Sequence, residues 1–317
     1  MKKKSNIIVV KKLFSKYALY IAFIVLVVFL SFSSPVFLTS KNLINVLRQI
    51  SVIGIISIGM TFVIITGGID LSVGSLVAIT SVVATSFATQ ETNYPLIVAI
   101  VIGLLVGLVF GVFTGFFVAK MNVPPFIATL ATMTIARGFA MVYSGGRNII
   151  NVKETYSFIG KGSVGGLPVP VIIFVTVILI GIFLLRFSKF GRHVYAVGGN
   201  ENAAIVSGIS AAKVKFTCYV ISGLTSAIAA IVLSARIRTG QPAGGLGYEL
   251  DAITAVAIGG TSLSGGVGSI FGTVIGMLII GVMTNGLDLL NVSSYYQQVI
   301  KGVIILVAVL SDRKKGV

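Results

Sequence analysis

Residues 66–75 read TGGIDLSVGS, a glycine pair followed by an acid and two serines inside a long apolar stretch. Asp70 is the one charged residue between Arg48 and Glu91. Because glycine tolerates the left-handed conformation of a helix stop, Gly67 and Gly68 predict the end of one helix. Asp70 is then expected to cap the next helix by accepting hydrogen bonds from backbone N–H groups near Ser72.

The composition indicates a membrane protein. Hydrophobic residues make up 56% of the 317 residues, charged residues 10%, and the mean hydropathy is +1.06. Soluble domains carry roughly 25% charged residues. Apolar runs near the length needed to cross a bilayer recur along the whole chain. We therefore predict an all-α polytopic protein with a single transmembrane domain over residues 1–317.

Run length and charge gaps predict about ten transmembrane helices. The predicted spans are 17–38, 50–67, 71–89, 95–119, 124–143, 168–186, 215–235, 250–262, 268–285 and 295–311. The segments around 67–70 and 260–266 are the exceptions to a simple count, since either could be a broken or re-entrant helix.

The distribution of charge predicts the orientation. The net charge is +16, but the basic residues cluster at the ends of apolar runs, which argues against nucleic-acid binding. Basic segments are retained in the cytoplasm. This places the basic N-terminus 1–16, the loop 186–215 and the C-terminus there. The first apolar run is expected to stay as an uncleaved helix. One cysteine excludes an intrachain disulfide, and one histidine argues against a histidine-built metal site.

Two stretches of the chain resemble each other. GGIDLSVGSLVAI at 67–79 and GGTSLSGGVGSIFGTVI at 259–275 share G-G-x-x-L-S followed by V-G-S. Paired, glycine-interrupted apolar segments are typical of a transport path between two related halves. The alternative is that glycine is common wherever transmembrane helices pack closely. We interpret the run GLLVGLVFGVFTG at 103–115 in that second way, as a helix-packing surface.

The loop 186–215 contains a predicted helix of about two turns. Asn200 is a suitable N-cap, Glu201 suits the positive helix start, and Gly208 suits the residue after the helix. A short helix between two membrane helices could fit a groove in a soluble partner or could be an ordinary surface helix. The spacing alone favours neither.

Three charged residues lie within apolar runs: Asp70, Arg137 and Lys301. Each is expected to face protein or water, and their signs suggest pairing between Asp70 and one of the two cations. Phe126 and Arg137 lie eleven residues apart, about 20° apart around a helix, so they share a face that could line a path.

Several motifs resemble the pentose and hexose permeases of ATP-driven importers. They are GMTFVIITGGIDLSVGS (59–75), PPFIATLATMTIARG (124–138), YAVGGNENAAIVSGI (195–209) and YELDAITAVAIGGTSLSGGVGS (248–269). The likeness runs nearly end to end and is nearest to the ribose members. It implies a non-enzymatic, multi-pass permease subunit in a bacterial plasma (inner) membrane that imports ribose. Xylose, arabinose, galactose and other polyols are left open.

The resemblance also implies partners. They are a cytoplasmic tandem ATPase that binds ATP and Mg, an extracytoplasmic sugar-binding protein, and a second copy of the permease. The chain contains no G-x-x-x-x-G-K-[ST] motif, so ATP hydrolysis is expected on the separate subunit. No cofactor, catalytic residue or metal is expected on this chain.

Two sets of site residues follow from the resemblance and from their chemistry. The translocation path and its gate are expected to contain Gly67, Gly68, Asp70, Ser72, Phe126, Thr129, Arg137, Gly259, Gly260, Ser262, Ser264, Gly265 and Gly266. Coupling to the ATPase is expected to involve Gly199, Asn200, Glu201, Asn202, Ala203, Ala204, Ser207 and Gly208.

Two other classes of function are alternatives. An ion-coupled secondary transporter of a small polar solute could use Asp70 as its ion site. An intramembrane aspartyl protease would need two facing aspartates, with Asp70, Asp251 and Asp288 as the candidates. For the importer, the loops near 40–48, 144–167 and 236–250 are expected to form a basic outer surface that docks the binding protein.

Overall fold

The computed structural model describes residues 20–313, apart from the side chains of 308, 309 and 311–313. The predicted basic segment 1–16 lies outside these residues. The helices are α1 (Tyr20–Ser33), α2 (Ser40–Ile65), α3 (Val73–Ser86), α4 (Leu96–Ala119), α5 (Pro125–Ser144), α6 (Glu154–Lys161), α7 (Val169–Ile182, continued by a π-helical turn, Phe183–Phe187), α8 (Lys189–Gly199), α9 (Glu201–Val206), α10 (Ala211–Ile237), α11 (Tyr248–Ile258), α12 (Ile270–Leu289) and α13 (Ser294–Arg313). A two-stranded hairpin, β1 (Ser163–Val164) with β2 (Leu167–Pro168), precedes α7.

The polytopic helical fold is confirmed. In the described part of the chain, six helices are long and apolar enough to cross a membrane: α2, α4, α5, α7 with its π-helical turn, α10 and α12. Each of the ten predicted spans overlaps a helix, but α3 and α11 have only 14 and 11 residues. At 1.5 Å per residue they are about 21 and 16 Å long, too short to cross alone. Ten crossings and the orientation of the termini stay predictions.

Glycines on α4 bring it against α10, as predicted for 103–115. Gly107 lies against Gly223 and Ala227, Gly111 lies against the backbone of Tyr219, and Gly115 lies against Phe216. A β-carbon at any of these three glycines would meet backbone atoms of α10. The stripe of small residues therefore permits the close backbone approach that stabilises helix pairs in a membrane.

The segment between α10 and α11 is not the simple outer loop predicted for 236–250. Gly240 lies against Ser81 and Val82, whereas Gly245 lies against Gly74 and Val77, so the chain runs back along α3. α11 therefore begins beside the N-terminal turn of α3, inside the bundle. From the sequence, this polar, glycine-rich stretch was expected at the surface. Its backbone partners are distant along the chain, so the sequence does not reveal them.

The two similar stretches form the same local structure. In the first, the Ser72 N–H donates to Asp70 Oδ1 over 2.9 Å, and in the second the Ser264 N–H donates to Ser262 Oγ over 3.3 Å. Both turns also lie at the same end of the bundle, since the Gly266 N–H donates to the Ile65 carbonyl over 2.8 Å. The two stretches thus run in the same direction, which supports the predicted duplication.

Candidate functional site

The first glycine turn (residues 66–72) ends α2 as predicted. Gly67 has a φ of +78°, in the left-handed region. Its N–H donates to the Ile64 carbonyl over 2.9 Å, and the Gly68 N–H donates to the Val63 carbonyl over 3.1 Å. This pair of bonds is the Schellman motif, which satisfies the last carbonyls of a helix. A residue with a β-carbon at position 67 would be strained.

The second glycine turn (residues 259–269) repeats this geometry one residue later. Gly260, with a φ of +85°, donates to Ala257, and Thr261 donates to Val256. In the sequence comparison Gly259 stands opposite Gly67, but in the structure Gly260 takes the left-handed role. A further pair of positive-φ glycines, Gly265 and Gly266, returns the chain to α12 and lies against the first glycine turn.

Asp70 is 1% exposed, and its carboxylate is held by two serines. Oδ1 accepts from the Ser72 N–H over 2.9 Å and from Ser72 Oγ over 2.6 Å, and Oδ2 accepts from Ser222 Oγ over 2.7 Å. The predicted bond from the Ser72 N–H to Asp70 is present, but the N-cap of α3 is Ser72 itself, and no side chain caps that helix. Ser222, on α10, was not recognised from the sequence because nothing in the chain links it to residue 70.

The suggested pairing of Asp70 with an intramembrane cation is wrong. Lys301 forms an ion pair with Asp251, with Nζ 2.8 Å from Oδ1. Arg137 donates to the carbonyls of Pro242 over 2.8 Å and Gly244 over 2.7 Å. Within residues 20–313 no ion pair involves Asp70. Arg137 instead holds the segment that runs back along α3, and Lys301 holds the short helix α11 that follows it.

The loop 186–215, called the coupling loop here after its predicted role, contains the predicted short helix, α9. Asn200 Oδ1 accepts from the Ala203 N–H over 2.9 Å. Gly208, with a φ of +83°, donates to Ile205, and Ile209 donates to Ala204, which completes another Schellman motif. Both caps were predicted from residue type. The preceding helix α8 was not predicted, although the sequence before Asn200 had been assigned to the same loop.

The coupling loop touches both glycine turns. Gly198 packs on the carbonyl of Ile65, which directly precedes the first turn, and on the backbone of Gly266 in the second. The Tyr195 hydroxyl donates to the Gly268 carbonyl over 2.8 Å. A displacement of α8 and α9 would therefore act directly on both turns, which gives the loop a mechanical connection to the interior of the bundle.

The remaining path candidates, on α5, differ in burial and in position along the helix. Thr129 is buried and donates to the Pro125 carbonyl, while Phe126, on the same helix, is 58% exposed. Arg137 lies beyond them on α5, beside residues 242–244. The structure thus brings the two glycine turns and the coupling loop together. Phe126 and Arg137, eleven residues apart on α5, do not lie in one site.

The chain is similar to known transport permeases. Residues 42–309 match the family described as branched-chain amino acid transport system, permease component. The ribose import permease of Bacillus subtilis (strain 168) is 50% identical over 94% of this chain and 92% of its own. That of Escherichia coli (strain K12) is 48% identical over 93% and 92%. The L-arabinose permease of Escherichia coli (strain K12) is 39% identical over 96% and 92%.

No solved structure matches the chain. The family match covers most of the described residues, and both glycine turns and the whole coupling loop fall within it. The chain therefore belongs to this family of transport-system permease components and is a relative of sugar import permeases.

Proposed function

We propose that the chain is the membrane-spanning permease subunit of an ATP-driven, binding-protein-dependent importer of D-ribose in a bacterial plasma membrane. The observation that carries this proposal is the 50% identity, over 94% of the chain, to a ribose import permease. The family description names branched-chain amino acids, whereas the relatives above are named for pentoses. Ribose is therefore the first substrate to test, and leucine is the informative competitor.

The coupling loop supports an ATPase partner. The end of α9 exposes two apolar side chains, Ile205 at 53% and Val206 at 89%. Both caps of α9 are satisfied, so the helix presents these side chains in a fixed position. A short amphipathic helix that offers apolar anchors suits a hydrophobic groove in a soluble protein. We assign that groove to the separate ATPase, which would bind ATP and Mg.

The opposite end of the bundle is the proposed docking surface for a sugar-binding protein. Several of its cations are engaged internally: Arg48 donates to the Lys161 carbonyl, Arg236 donates to Asn45, and Arg238 forms an ion pair with Glu154. Glu249, which was counted with this surface, accepts from Gly247 inside the bundle instead. The net basic character remains, so docking to an acidic surface is expected to weaken with salt.

A second copy of the permease completes the proposed assembly. The family resemblance implies a dimer, and α5 carries apolar side chains that the described chain leaves exposed, including Phe126, Ile127 and Val142. A partner copy or lipid would cover them. The ion-coupled carrier is not favoured, because the relatives named above are import permeases.

The test is reconstitution of the permease in proteoliposomes with its ATPase and binding protein. Uptake of labelled ribose should require all three proteins and ATP, and should be unaffected by leucine. Uptake by the permease alone, driven by a proton or sodium gradient, would support the carrier instead. Competition by leucine would indicate that the transported substrate is a branched-chain amino acid.

A further inference from the structure

A polar crevice lies where the two glycine turns meet the coupling loop. Its volume is about 320 Å³, which falls in the lower part of the range for small-molecule sites. The lining is mainly polar or backbone. The lining includes Gly67, Gly68, Asn200, Glu201, Tyr219 and Ser264. We call this cavity the junction crevice.

Tyr219 is the residue that points to a ligand. Its side chain is 1% exposed, it lines the junction crevice, and its hydroxyl makes no hydrogen bond with the described part of the chain. A buried hydroxyl without a partner costs about 1–3 kcal/mol. The hydroxyl lies beside Gly68, where a β-carbon would collide with it, so the backbone here leaves room for the phenol.

The charges around the crevice favour a neutral ligand. Lys215 and Glu201 both line it, and their Nζ and Oε2 atoms form an ion pair 2.6 Å long. The two charges cancel each other, so the described lining offers no free cation to hold a phosphate. One carboxylate engaged by a lysine is also a poor metal ligand set. The remaining groups, a phenol, serine, asparagine and glycine backbone, suit a polyhydroxylated molecule.

We propose that the junction crevice is a ribose-binding subsite, the last one before release beside the coupling loop, with the Tyr219 hydroxyl bonding a sugar hydroxyl. This inference rests on the proposed function and adds a location to it. The crevice shares Asn200 and Glu201 with α9 and Gly67 with the first glycine turn. Sugar in the crevice therefore contacts the segment that is proposed to receive the ATPase.

Thiol protection tests this site directly. Ser264→Cys places a reactive group in the lining, whereas Lys213→Cys places one at an exposed position of the coupling loop, outside the crevice. The native Cys218 is fully buried and serves as the unreactive background. The full-length permease is held in lipid nanodiscs and labelled with a polar maleimide in the presence of D-ribose, inorganic phosphate or neither.

D-ribose should slow labelling of Ser264→Cys and leave Lys213→Cys unchanged. Adding Tyr219→Phe should weaken the protection about fivefold, the effect of one neutral hydrogen bond. Equal labelling with and without ribose, or protection by phosphate instead, would overturn the subsite. Labelling needs neither uptake nor ATP, so it separates this inference from the proposed function, which the uptake assay decides.

Discussion

Ser222 on α10 donates a 2.7 Å hydrogen bond to Asp70, which lies 152 positions earlier in the chain. The other carboxylate oxygen is occupied by the N–H and hydroxyl of Ser72. Asp70 therefore joins the start of the short helix α3 to α10. Its role in the structure is to fix where α3 begins, next to the glycine turn that ends α2.

Asp70→Asn should keep most of the transport activity. The asparagine carbonyl can accept from the Ser72 N–H, and its amide can donate to Ser222. Asp70→Ala leaves Ser222 and Ser72 without their buried acceptor, which should lower the free energy of unfolding by about 1–3 kcal/mol. Thermal unfolding of the purified permease and ribose uptake at matched expression measure the two effects.

Ser222→Ala is the matched control for Asp70, because it removes one bond and keeps the carboxylate. Ser222→Ala should lower the free energy of unfolding by less than Asp70→Ala does. A proton-relay role for Asp70 predicts instead that Asp70→Asn abolishes ribose uptake. Full activity and stability in Asp70→Ala would show that the junction between α3 and α10 does not depend on this residue.

The caps were predictable from the sequence because they are local. Gly67, Asn200 and Gly208 occupy positions where their residue type has a specific backbone role, and a pattern of a few residues reveals it. The glycine run on α4 was predictable for the same reason, since its spacing places the small residues on one face.

The partners of the intramembrane charges could not be predicted in this way. Lys301 meets Asp251 from fifty residues away, and Arg137 meets backbone carbonyls over one hundred positions along the chain. Carbonyl groups carry no signature in the sequence. The segment that returns along α3 was missed because its close approach depends on Gly74 and Gly245 facing each other, a relation that only the fold supplies.

Breaking the ion pair between Lys301 and Asp251 should destabilise the permease. Lys301 Nζ lies 2.8 Å from Asp251 Oδ1, and the Asp251 side chain is 9% exposed. Lys301→Met leaves a nearly buried carboxylate unpaired, so we expect a loss of about 3 kcal/mol in the free energy of unfolding. The measurement is thermal unfolding in detergent.

The double variant Lys301→Met/Asp251→Leu should recover much of that loss, since replacing both partners by apolar groups removes the buried charge. If the two single losses simply add in the double variant, the pair does not interact as the structure indicates.

Reversing the charge of Glu201 should weaken association with the ATPase. Glu201→Lys places two lysines together at the start of α9 and opposes the helix dipole. The exposed pair itself is worth little, about 0–1 kcal/mol, so the permease should remain folded in the membrane. Copurification with the ATPase is the measurement, and Val206→Asp should reduce it by removing an apolar anchor.

The swap Glu201→Lys/Lys215→Glu separates two explanations for that loss. Restored copurification would mean that the pair positions α9. Continued loss would mean that the Glu201 carboxylate contacts the ATPase itself. If neither Glu201→Lys nor Val206→Asp reduces copurification, α9 is not the ATPase contact.

Of two adjacent glycines in the coupling loop, only Gly198 should be sensitive to replacement by alanine. A β-carbon at Gly198 would collide with the Ile65 carbonyl at the end of α2, whereas a β-carbon at Gly199 would meet nothing within 4 Å. Gly198→Ala must therefore push the coupling loop away from the first glycine turn. Since the same glycine also lies on Gly266, the shift would loosen the loop from the second turn as well.

Gly198→Ala should therefore uncouple the transporter: ATP hydrolysis by the assembled complex should continue while ribose uptake falls. Gly199→Ala should keep both rates close to those of the unmodified complex, which controls for the general effect of alanine near α9. The ratio of sugar imported to ATP hydrolysed is the quantity to measure. An unchanged ratio in a properly assembled Gly198→Ala complex would mean that movement of α9 reaches the membrane helices by another route, and the contact between Gly198 and Ile65 would be packing alone.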